Sequence, residues 1–85
     1  MKYKIADLVE FRDGHPNWVQ HDKYSDRWVS WKVHESINHI RIDVKYALVC
    51  GIEEVGEGSN KTFYHVMYND LYCLAKEEDI LRKIN

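Results

Sequence analysis

Five histidines, two cysteines, three tryptophans and six tyrosines are the groups in this 85-residue chain with the capacity for site chemistry. A histidine-based metal site on a helix needs two imidazoles one turn apart. His15, His21, His34, His39 and His65 contain no His-x3-His pair, so no metal site and no cofactor are expected. Nucleophilic catalysis needs a thiol or hydroxyl beside a base that a third group orients. Cys50 or Cys73 with His65 is the one plausible pairing. On alternating strands the cysteines take inward parity and His65 outward parity, which separates them. Gly56-Glu57-Gly58 is acidic and would repel a phosphate. The chain is therefore read as non-enzymatic.

What remains is binding chemistry. Trp18, Tyr24 and Trp28 place three bulky aromatics within eleven positions, and such residues anchor protein partners. Glu53, Glu54 and Glu57 surround one connection, and Glu77, Glu78 and Asp79 form a second acidic run. Together they would steer the chain toward a basic partner. Lys32, Arg41 and Lys45 near Trp28 offer an alternative, a weak site for single-stranded nucleic acid. Residues 1–50 carry eight bases against seven acids, and residues 51–85 four against seven. The whole chain, at net charge −2, lacks the basic excess of a strong nucleic-acid binder. A protein partner is the preferred expectation.

These side chains need elements to hold them. Ile40, Ile42, Val44, Tyr46, Leu48, Cys50 and Ile52 recur at every second residue, the spacing of a long strand with those residues inward. Residues 7–12, 27–34, 61–68 and 71–75 also read as strands. Asn69-Asp70 marks a tight hairpin between the last two. Residues 13–26 read as a long loop. In residues 76–84 acids precede bases and Ile80, Leu81 and Ile84 share a side, predicting one or two helical turns. One small domain of five antiparallel strands is best closed as a barrel, which leaves no exposed edge.

Ile5-Ala6-Asp7-Leu8-Val9-Glu10-Phe11 resembles the opening strand of SH3-like barrels of the KOW and Tudor type, with Ala6 where that pattern has glycine. Tyr64-His65-Val66-Met67-Tyr68-Asn69-Asp70 and Glu77-Glu78-Asp79-Ile80-Leu81 resemble the closing strand, tight turn and helical stretch of the same fold. The resemblance covers about 35 residues at the two ends and extends to small phage and prophage proteins. It implies a five-stranded SH3-like barrel spanning residues 1–85, acting as a protein-binding module that modulates a host protein. It also implies an aromatic cage, for which Trp18, Tyr24, Trp28, Phe63 and Tyr72 are available. The opening Met1-Lys2-Tyr3-Lys4-Ile5 has no apolar core of a signal peptide. A cytoplasmic location with both thiols reduced is therefore expected.

Overall fold

The computed structural model describes residues 2–20, 27–38, 44–56, 61–68 and 70–85. Tyr24, Ile40, Arg41, Ile42 and Glu57 lie outside the described residues. The elements in chain order are β1 (Leu8–Phe11), β2 (Trp18–Gln20), β3 (Trp28–Ser30), α1 (Trp31–Asn38), β4 (Tyr46–Val55), β5 (Lys61–Tyr68) and β6 (Leu71–Lys76). A 3-10 turn at Glu77–Asp79 then leads into β7 (Ile80–Lys83). All strands pair antiparallel in one sheet of order β3-β2-β6-β5-β4-β1-β7.

The expectation of a closed five-stranded barrel is corrected: the described residues form an open sheet of seven strands. Val9, Phe11, Val19, Val49, Val66, Cys73 and Ile80 nevertheless belong to one buried cluster. They come from one face of six different strands. In a flat sheet, with about 4.8 Å between neighbours, the outermost of these would stand more than about 20 Å apart. The sheet therefore curls around them, and Trp31 of α1 inserts into the same cluster.

Three elements differ from the pattern read in the sequence. Residues 27–34 do not form one strand: β3 ends at Ser30, and α1 begins at Trp31. The Ser30 hydroxyl accepts the Val33 amide at 3.3 Å, which caps the helix start. Trp31 and His34, three apart, are buried, while Val33 is exposed; that is helical periodicity. Within the 13–26 segment, β2 extends the sheet by pairing Val19 with Cys73 of β6. The C-terminal helical turns reduce to the 3-10 turn. A helix of only one or two turns gains little from its own hydrogen bonds. β7 instead satisfies the free edge of β1, pairing Val9 with Lys83.

The largest correction concerns β4. Tyr46 and Leu48, expected inward, are exposed, and Ala47 and Val49 are buried instead. The register shifts between Val49 and Gly51: Val49 stands opposite Val66, but Ile52 stands opposite Tyr64. One extra residue, Cys50, thus exchanges the two faces of the strand. Beyond the bulge Ile52 packs against the core as expected. The hairpin reading is upheld, since Tyr68 pairs with Leu71 and residues 69–70 connect them. In β5, Tyr64 and Val66 are buried as read from the alternation.

Candidate functional site

The functional question turns on the second face of the sheet. With Val19, Val49, Val66 and Cys73 turned to the core, their neighbours along each strand point the other way. One row across that second face runs Leu8, Leu48, Met67 and Tyr72 through directly opposed pairs. The next row places Trp18 opposite Leu74 and Leu74 opposite His65. Phe63 stands between Glu53 and Lys76. A solvated sheet face would alternate charge here. This one is apolar and aromatic over most of its width.

The rings on it are packed together. Trp28 lies 5.9 Å from both His65 and Tyr72 between ring centroids. Trp18 lies 6.0 Å from Phe63 and has the Lys76 ammonium 5.5 Å from its ring centroid. His65 is the hub. Its Nε2 is 3.2 Å from Glu53 Oε2, and its Nδ1 is 3.3 Å from the Tyr72 hydroxyl. With the phenol donating to Nδ1, Nε2 carries the proton and donates to the Glu53 carboxylate. Burial raises the Tyr72 hydroxyl above its ordinary value, reinforced by the nearby Cys50 thiol, so the phenol remains a donor at neutral pH.

Trp18 and Trp28 are thus half-buried supports of this face rather than freely protruding anchors. The groups that protrude are Leu48 and Met67, directly opposed and 45% and 41% exposed. Sequence reasoning did not single them out. Their signal was the apolar character of both parities in Lys61–Tyr68, where Phe63 and Met67 alternate with Tyr64 and Val66. Glu53 is exposed on β4 at one margin of the face and bound to His65, whereas Glu54, also exposed, stands opposite Thr62 with the parity of Ile52 and Tyr64 and so belongs to the other face. Phe63 and Tyr72 of the expected cage share the face, but Phe63 pairs with Trp18 and Tyr72 with Trp28, forming two clusters.

The basic residues stand elsewhere. Lys32 lies on α1, not on a strand beside Trp28. The Lys45 ammonium is 3.8 Å from the buried Glu10 carboxylate, which Arg82 also contacts at 2.7 Å. The thiols are both free. Cys73 is fully buried, and burial, with Cys50 adding to it, pushes its thiol up to about 12; it stays protonated and inert. Cys50 occupies the bulge rather than the core face, and its thiol donates to the backbone oxygen of His65 at 3.3 Å. No described helix is long and apolar enough to cross a membrane.

Comparison with protein-family models, with curated proteins and with solved structures finds no match to this chain.

Proposed function

We propose that this chain is a non-enzymatic protein-binding module whose docking surface is the second face of the sheet. The observation that carries the reading is the opposed pair Leu48 and Met67, exposed beside the Tyr72–Trp28 cluster. Contiguous apolar surface of this kind, rimmed by charge, is what partner sites use. Trp18 and Trp28, half-buried among the rings of this face, stiffen the platform, and Leu48 and Met67 supply the first contacts. Glu53 at the margin favours a partner segment in which an apolar core is flanked by Lys or Arg. By the resemblance to small phage proteins, a host protein is the class of partner proposed.

The SH3-like relation is part of this proposal. Its support is the run β7-β1-β4-β5-β6 within the sheet, together with the strand, tight turn, strand and 3-10 turn over residues 61–79. β2, β3 and α1 are then an insertion between β1 and β4 of that run. The nucleic-acid alternative through Lys32, Arg41 and Lys45 has no observation in its favour: Lys45 is engaged by Glu10, and Arg41 lies outside the described residues.

Selection from a random peptide library on the immobilised protein tests the docking face. Enriched peptides are expected to share an apolar centre with flanking basic residues. Their binding should drop at least tenfold on the double variant Leu48→Asp, Met67→Asp. Both residues are exposed, so the variant should keep the wild-type circular dichroism. Equal enrichment on wild type and a folded double variant would sink the assignment of this face.

A further inference from the structure

We infer that a pocket beside the docking face is a binding site for a nucleoside phosphate. The pocket has a volume of about 410 Å³, within the range of small-molecule sites. Lys2, Lys61 and Lys76 line it, with Phe63 in its wall. Among the described residues, none of the three ammonium groups is within ion-pair distance of a carboxylate; the described ion pairs use Lys45, His65, Arg82 and Lys83. Three ammonium groups around one concavity, that of Lys76 also resting 5.5 Å from the Trp18 ring centroid, call for an anion.

The two acids of the pocket, Glu77 and Glu78, leave Lys2, Lys61 and Lys76 in excess by one charge. Glu77 keeps its charge but is held by the protein: its Oε2 accepts the Tyr64 hydroxyl at 2.5 Å and the Lys2 backbone amide at 3.3 Å. Glu78 is exposed at the rim, where a carboxylate suits sugar hydroxyl donors rather than phosphate. The Thr62 side chain adds a hydroxyl donor. Phe63 presents a ring on which a planar base can stack, and Trp18 lies 6.0 Å beyond it. Cations for a phosphate, an acid for a sugar and a ring for a base define a nucleotide unit, taken either free or within a single strand.

Nuclear magnetic resonance titration of the full chain with adenosine 5′-monophosphate tests this. Saturable shifts are expected at the amides of Lys61, Thr62, Phe63 and Lys76. Inorganic phosphate should shift the same amides at least tenfold more weakly, and adenosine without phosphate likewise. Lys61→Gln with Lys76→Gln should weaken the nucleotide at least tenfold. Phe63→Leu should weaken the nucleotide but leave the response to phosphate unchanged. A parallel titration with a short single-stranded oligonucleotide separates the sources: tighter binding than the mononucleotide assigns the site to a strand, equal or weaker binding to a free nucleotide. Absence of saturable shifts with both ligands, or adenosine binding as well as its phosphate, would overturn the proposal. Leu48 and Met67 play no part in this site, so its failure and that of the docking face are read separately.

Discussion

Ala6 holds a φ of 79°, a left-handed conformation that costs an L-residue roughly 1–2 kcal/mol. The turn is fixed from both sides: the Asp7 amide donates to Lys4 O at 3.1 Å, and the Ala6 amide donates to Val49 O at 2.9 Å. Glycine, the residue of the opening pattern this segment resembles, would adopt the same backbone without the Cβ clash. It would also give up about 0.4–1 kcal/mol of unfolded-state advantage. Ala6→Gly is therefore expected to raise stability by about 0.5 kcal/mol, read as a higher midpoint in urea with unchanged slope. A lower midpoint would mean that the turn is not strained. At this scale the sequence was informative but silent on sign: alanine in place of glycine was visible, and its positive φ was not.

At the scale of elements, β4 carries the lesson. Alternation identified the strand, because period two follows from the pleat alone. It assigned the wrong face to the first half, because both sides of the strand carry apolar residues. Only the neighbouring strands decide which side is the core, and the bulge at Cys50 then exchanges them. Gly51 follows the bulge for a steric reason: a Cβ there would lie 3.3 Å from His65 Cβ. The consequence is measurable. Val49→Ala should cost about 2 kcal/mol by losing buried methyl groups, whereas Leu48→Ala, at an exposed position, should cost less than about 1 kcal/mol. Chemical denaturation of the two variants compares them; a larger loss at Leu48 would restore the opposite face assignment. The switch at Ser30 from strand to helix was hidden similarly, since two or three residues of alternation on either side fit both periods.

At the scale of the whole molecule, the chain ends are tied across the sheet. The Lys2 and Tyr3 amides each donate to the Tyr64 hydroxyl at 3.2 Å, and that hydroxyl donates to Glu77. Asn85 accepts the Leu8 amide at 2.9 Å. The Tyr64 hydroxyl holds the Glu77 carboxyl below its ordinary value, helped by the Lys2 amide. Burial, with the bond to Glu77, pushes Tyr64 up to about 12. The depressed Glu77 contributes stability above its ordinary value near 4.5 that is lost as pH falls through the folded value. The raised Tyr64 contributes stability that is full below 10 and lost as pH rises through about 12. Thermal unfolding should give a plateau between these limbs. Glu77→Gln should flatten part of the acid limb, leaving the share of Asp7, whose carboxyl is held low first by the Lys4 amide. Tyr64→Phe should flatten part of the alkaline limb, leaving the shares of Tyr3, Tyr72 and Cys73, which burial also raises. Limbs unchanged in both variants would remove the clamp from the account of stability.

The amino-acid order alone determined a small, mainly antiparallel β protein, the hairpin at residues 69–70 and the buried side of β5, because these depend on contacts between near neighbours in the chain. The tertiary structure decided the number of strands, the open edges at β3 and β7, and the face of β4 that water meets. It alone joined Leu48 to Met67 and Lys2 to Lys61 and Lys76. Which residues meet across a sheet is set by register and curl, and both depend on packing summed over the entire molecule rather than on any local run of residues.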